Sequence, residues 1–250
     1  MISLKSKREI EIMRQAGEIL KLVFKQVEPA VQAGVTTNDL DAIAEETIRK
    51  AKGEPAFKGY RGFPKTACIS VNEEVVHGIP GPRKLKAGDV VSFDIGAKVN
   101  GYYADSARTW VVGKVSDKIA RLAAAARGSL LEGLSAYKPG CRIGDLSEKI
   151  QQYIEGQGFQ VVRDYVGHGI GRAIHEEPAV PNYGKAGQGL KIQPGLVLAI
   201  EPMVTEGHYG VETLEDGWTV VTRDRKWASH YEDTIAFTED GYMNLTGESI

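Results

Sequence analysis

Apolar residues recur at helical spacing from the start of the chain. Met13, Ala16, Leu20, Val23 and Val27 fall on one face of a helix predicted over residues 6–27. Ser6 and Glu9, three residues apart, form a capping box that sets its start. A second helix is predicted over 37–52, ended by Gly53. The period then shortens towards two, with strands predicted near 66–71 and 89–95. Asn100-Gly101 is a hairpin turn pair, joining 89–99 to 102–112. An alanine-rich helix is expected over 117–137 and another over 144–157, stopping near Gly158. From 161 to 245 the chain reads as strands and turns.

The pattern repeats. The segment Ala33-Gly-Val-Thr-Thr-Asn-Asp39-Leu40 precedes one helix, and Pro139-Gly-Cys-Arg-Ile-Gly-Asp145-Leu146 precedes another, 106 residues later by the two aspartates. Lys84-Leu-Lys-Ala-Gly-Asp-Val-Val-Ser-Phe-Asp94 resembles Lys191-Ile-Gln-Pro-Gly-Leu-Val-Leu-Ala-Ile-Glu201 at an offset of 107. Two nearly equal offsets point to a duplicated half packed about a pseudo-twofold axis. Asp94 and Glu201 are then expected at equivalent strand ends, facing one another.

Both acids close apolar runs, Val90-Val-Ser-Phe93 and Leu196-Val-Leu-Ala-Ile200. A carboxylate at the end of a buried strand is costly unless it is paired or metal-bound. Asp105 lies across the Asn100-Gly101 turn from Asp94, so the two are expected to be near neighbours, and close carboxylates repel unless a cation or shared proton lies between them. Glu232 sits in another strand pattern and His168 in Gly167-His-Gly-Ile-Gly171. One histidine with four carboxylates suits two divalent ions bridged by carboxylate and water, of the Mn, Fe(II), Co or Zn type, and hence hydrolysis. Each residue alone has a blander reading as a solvated face or ion-pair member. His208 and His230 are expected at the surface, His230 with a lesser reading as a neighbour of the site. Glu176 and Glu177 read as structural, Asp89 and Asp233 as turn or ion-pair residues.

Composition narrows the partners. A chain of 250 residues with 42% hydrophobic residues can bury a core, and is expected to form one catalytic domain over 1–250. A net charge of −2 offers no broad basic field for nucleic acid. No run of 18 apolar residues spans a bilayer, and no signal-peptide core is seen at the start. Only Cys68 and Cys141 occur, so a reducing cytoplasm is expected and no disulfide framework.

Taken in order, the segments Glu9-Ile-Glu-Ile-Met-Arg-Gln-Ala-Gly17, Tyr60-Arg-Gly-Phe-Pro-Lys-Thr-Ala-Cys-Ile-Ser70, Asn72-Glu-Glu-Val-Val-His-Gly-Ile-Pro80, Tyr165-Val-Gly-His-Gly-Ile-Gly171, His175-Glu-Glu-Pro178, Ile200-Glu-Pro-Met203, Asp216-Gly-Trp-Thr-Val220 and Tyr231-Glu-Asp-Thr234 resemble type I methionine aminopeptidases across the whole chain. The resemblance implies the α+β pita-bread fold shared with creatinase and prolidase: two pseudo-twofold-related halves around a curved antiparallel sheet. It also implies removal of an initiator methionine before a small second residue, through two metal ions. By position, Asp94 holds one ion, His168 and Glu201 the other, and Asp105 and Glu232 bridge them. Glu201 also relays the proton of the attacking water, His175 stabilises the oxyanion and His77 contacts the scissile amide nitrogen. Phe57, Tyr60, Phe63, Cys68, Ile174 and Trp218 match the methionine pocket. The family habit implies a cytoplasmic monomer in transient contact with the ribosome.

Three features depart from the best-known bacterial pattern: Phe57 where Cys is usual, Ile174 where Phe is usual, and Tyr102-Tyr-Ala where His-Gly is expected before Asp105. The nearest alternative is an Xaa-Pro aminopeptidase or prolidase with the same ligands, which usually carries an additional N-terminal domain. A type II enzyme needs a helical insertion for which the span from His175 to Glu201 is too short. A metal-free binding module of the same fold is expected to have lost ligands, and all five are present.

Overall fold

The computed structural model describes residues 2–247; Met1 and residues 248–250, the ends of the expected 1–250 unit, lie outside the described residues. Helix α1 (Lys7–Val27) begins where the capping box places it. The Ser6 N–H donates to the Glu9 carboxylate at 2.8 Å while the Ser6 hydroxyl accepts from Glu9 N–H. Its buried face carries Met13, Ala16, Leu20, Val23 and Val27, all fully enclosed. Each large side chain of this kind contributes roughly 1.5–3 kcal/mol of apolar burial. Helix α2 (Thr37–Lys50) uses the same device, with Thr36 and Asp39 capping each other.

The first half adds strands β1 (Glu54–Pro55), β2 (Ala67–Val71), β3 (Glu74–Val76), β4 (Val90–Val99) and β5 (Tyr102–Val111). The second half comprises α3 (Asp117–Ser135), α4 (Ile143–Gly156) and strands β6 (Gln160–Val161), β7 (Gly167–Gly169), β8 (Glu176–Val180), β9 (Val197–Ile200), β10 (Met203–Thr205), β11 (Val211–Thr213), β12 (Val220–Thr222), β13 (Ala228–His230), β14 (Asp233–Thr238) and β15 (Gly241–Asn244). Every paired strand runs antiparallel to its neighbour. Strand β4 pairs with β5 on one side and with β2 and β1 on the other, and a second sheet has the order β15-β14-β9-β7-β8.

The repeat is visible in the backbone. Thr36 bridges Lys84 just ahead of α2 as Arg142 bridges Lys191 just ahead of α4. One apolar core gathers α1, α2, β2 and β4, and another gathers α3, α4, β9 and β14. The halves join where Ala107, on β5, exchanges two backbone hydrogen bonds of 3.1 Å with Glu232.

The predicted hairpin is present, with Asn100 and Gly101 at φ 48° and 83°. Asp94 does not end its strand: β4 runs on to Val99, because β1 pairs with Ala97 and Lys98. Glu201 lies one residue past β9, so the two acids are not at matching strand ends.

Candidate metal centre

Register places the carboxylates. On the β4–β5 hairpin Asp94 faces Ala107 and Asp105 faces Gly96, so the two aspartates are diagonal neighbours two positions apart. His168 lies opposite Ala199 on β9, which delivers Glu201 two residues later. Glu232 stands between β13 and β14 at the Ala107 bridge. All five predicted ligands therefore line one cavity of about 440 Å³. Donor atoms of Asp105, His168 and Glu232 lie within 4.8 Å of one another, and His168 Nε2 is 3.6 Å from Glu201 Oε1.

The donor set fits divalent cations. Asp94 Oδ1, Asp105 Oδ1 and Glu232 Oε1 are buried with no hydrogen-bond partner. Burial, then mutual repulsion, drives the Asp94, Glu201 and Glu232 carboxyls well above the usual range. Burial also holds Asp105 up at about 7. A buried group of four acids that all resist ionisation calls for cations among them. The His168 Nδ1–H donates to the Gly169 carbonyl at 2.9 Å, which leaves the Nε2 lone pair directed at Glu201. Burial pushes His168 down to about 4, so the ring is neutral and able to ligate. Oxygen-rich donors with one imidazole fit divalent ions of the predicted type.

The predicted substrate residues gather beside the ligands. Phe57, Phe63, Cys68 and Ile174 are buried together, with Tyr60 and Trp218 packed against them. Gly96 packs behind these residues: a Cβ there would stand 2.8 Å from Ala56 Cβ, 2.9 Å from Phe57 Cε1 and 3.3 Å from Ile174 Cδ1. Phe57 and Ile174, two of the three departures, thus fill the space over one glycine. The Cys68 thiol is held far above its ordinary value by burial and by Asp94 and Asp105, so it packs as an apolar group.

His77 follows β3 with φ 61°, a left-handed conformation costing a non-glycine residue roughly 1–2 kcal/mol. Its ring meets Tyr165 and Trp218 edge-on, and burial, with His175 nearby, lowers it to about 4. The His175 ring centroid is 4.3 Å from that of His168, and His175 Nδ1 is 2.9 Å from the Tyr60 hydroxyl. The turn before His175 is pinned by Glu176. Its carboxylate accepts from Arg172 N–H and Ala173 N–H, and from the buried Lys5 ammonium at 2.6 Å. Glu176 is structural, as expected, but its partner lies 171 residues away.

His230 overturns its expectation. It is 1% exposed, not at the surface, because β13 pairs with β10 and its backbone is tied to Thr109 and Ser92 of the other half. Its alternation with Glu232 was the only signal in the sequence. Asn182 was missed altogether: buried, it donates to the Glu201 carbonyl at 3.0 Å. His208 is exposed as expected.

Comparison with known proteins agrees with this geometry. The sequence profile described as "Metallopeptidase family M24" matches residues 11–239. The protein named methionine aminopeptidase 1 of Bacillus subtilis is 51% identical over 246 residues, covering 98% of this chain and 99% of that one. A methionine aminopeptidase structure from Thermotoga maritima superposes with a TM-score of 0.97 at 45% identity, covering 99% of this chain and 100% of that one. A prolidase structure from Pyrococcus furiosus gives a TM-score of 0.78 at 26% identity, and the match covers 99% of this chain but only 66% of the prolidase. The pita-bread architecture expected from the sequence is that of these structures, and the chain belongs to metallopeptidase family M24.

Proposed function

We propose that this chain, acting as a single catalytic domain, removes the N-terminal initiator methionine from nascent proteins and peptides whose second residue is small. The observation that carries the reading is that one cavity brings the five-ligand cluster together with Phe57, Phe63 and Cys68, against which Ile174 packs. A thioether suits aromatic walls. Metallopeptidases named methionine aminopeptidase at about half identity over nearly the full length support the substrate.

Asp94 would hold one ion, His168 and Glu201 the other, with Asp105 and Glu232 shared. When bound, the ions supply positive charge that acidifies water near neutral pH and offsets the buried carboxylates. The chain's residues do the rest. Glu201 accepts the proton of the attacking water. With the Tyr60 hydroxyl, 2.9 Å from His175 Nδ1, acting as donor, Nε2–H is free to donate to the oxygen of the scissile carbonyl as charge develops there. His77, fixed by its backbone and two aromatic edges, holds the amide nitrogen. We place the activity in the cytoplasm, in a monomer that meets nascent chains in transient contact at the ribosome. Its two cysteines are buried and unpaired, and among the described residues no helix is long and apolar enough to cross a membrane.

The test is a paired assay of a Met-Ala-Ser peptide and an Ala-Pro peptide with Mn, Fe(II), Co or Zn. Faster cleavage of the methionyl peptide is expected, and the opposite order assigns an Xaa-Pro aminopeptidase instead. Glu201→Gln and His168→Ala are expected to abolish turnover, and full activity in either sinks the ligand assignment.

A further inference from the structure

His230 lies outside the five predicted ligands, yet its ring nitrogen is within 4.8 Å of carboxylate oxygens of Glu201 and Glu232. Its Nε2 is buried with no hydrogen-bond partner and lies 3.7 Å from Glu201 Oε2. The other oxygen of the same carboxylate, Oε1, is 3.6 Å from His168 Nε2. Glu201 thus lies between two imidazoles, one on each oxygen. Two donors sharing an ion at bonds of about 2.1 Å stand roughly 3–3.5 Å apart, close to the 3.6 Å between His168 Nε2 and Glu201 Oε1, and the proposed function assigns these two to a common ion. That leaves Oε2 facing His230.

Neither side of this contact is free to drift. The His230 N–H donates to the hydroxyls of Ser92 and Thr109, and its carbonyl accepts from Thr109 at 2.6 Å. The Glu201 carbonyl is held by Asn182 Nδ2. A buried ring nitrogen without a partner is a costly arrangement that a hydrogen bond to the facing Oε2 relieves.

We propose that His230 is a positioning residue of the metal centre: its Nε2–H donates to Glu201 Oε2 and turns Oε1 towards the ion shared with His168. This rests on the reading of Glu201 as a ligand. Partners of this kind behind a metal-bound carboxylate are worth about 10–100-fold in metal affinity or activity when removed.

The test is calorimetric titration of metal-free protein with Mn(II), together with kcat and KM on a Met-Ala-Ser peptide. His230→Leu is expected to weaken one of the two binding events by about 10–100-fold and to lower kcat while leaving KM nearly unchanged. His230→Gln, whose amide N–H can reach the same oxygen, is expected to restore both values to within about threefold of the wild type. If His230→Leu fails to fold, the shorter His230→Asn is expected to give the same loss. Unaltered Mn(II) binding in the folded Leu or Asn variant overturns the proposal. So does a folded Gln variant as weak as the Leu variant, the result expected if the ring nitrogen ligated metal directly. A wild-type protein that binds no ion, or Glu201→Gln binding as well as wild type, defeats the ligand reading instead.

Discussion

Arg108 and Asp233 meet across the seam between the two halves, guanidinium nitrogen to carboxylate oxygen at 2.8 Å. The guanidinium lies over the rings of Phe24 and Tyr231 and also donates to the Glu232 carbonyl. It therefore braces the backbone that carries one of the proposed shared carboxylates. Asp233 accepts further bonds from Thr246 and Asn244, so it is a buried anion with several donors and one balancing charge.

Replacing Arg108 with Met leaves that anion unbalanced. The expected cost is about 3 kcal/mol in urea unfolding, less than a wholly unpaired charge because the other donors remain. Adding Asp233→Asn is expected to recover more than half, as a coupled pair requires. Additive losses would show that the pair does not act as a unit.

The buried acids give the metal-free protein a pH dependence of definite sign. Asp105 titrates near 3.9 in an unfolded chain and at about 7 in the fold. Its contribution to stability is complete below the lower value and is lost as pH rises through the higher one. Asp94, Glu201 and Glu232 are displaced in the same direction. His77 and His168, lowered to about 4, act oppositely, but only below their unfolded value near 6.5. Between pH 6.5 and 8 the acids dominate the slope, and the raised Cys68 thiol adds to it in the same direction towards pH 8. The urea midpoint of metal-free protein is expected to fall across that window, and saturating metal is expected to flatten it. Metal uptake at pH 6.5 is expected to release protons, visible as a buffer-dependent binding enthalpy.

Gly96→Ala puts a methyl group against Ala56 and Phe57, and Phe57 is pushed towards the cavity it lines. The pocket is expected to shrink, raising KM for a methionyl peptide by about 10-fold or more, the range set by one methylene in a hydrophobic pocket. Metal binding is expected to be retained, because the β4–β5 pairing at Gly96 is backbone only. An unchanged KM would mean the substrate side chain binds elsewhere.

Local signals carried the helices. Ser6 with Glu9 is a self-contained cap, legible because three residues fix the geometry, and Thr36 with Asp39 repeats the device in the structure. The repeat was legible because two offsets agreed, and Thr36–Lys84 and Arg142–Lys191 realise it. Contacts made by folding over long separations were not legible: Lys5 with Glu176, Arg108 with Asp233, Asn182 with Glu201. His230 shows the limit most clearly. Alternation put it on the face of Glu232, but its burial depends on β10 and on Thr109, from opposite halves of the chain.

The seam at Ala107 and Glu232 has a consequence for the lifetime of the protein. Of the proposed ligands, Asp94 and Asp105 come from the first half and His168, Glu201 and Glu232 from the second, so on that assignment neither half owns a complete site. Ions held there favour only the state in which both halves are docked, by about 2.7 kcal/mol at a hundredfold excess over the dissociation constant. A metal-starved cell would then lose more than turnover. The seam would open more often, expose the chain to proteases, and make the amount of intact protein a readout of free divalent metal.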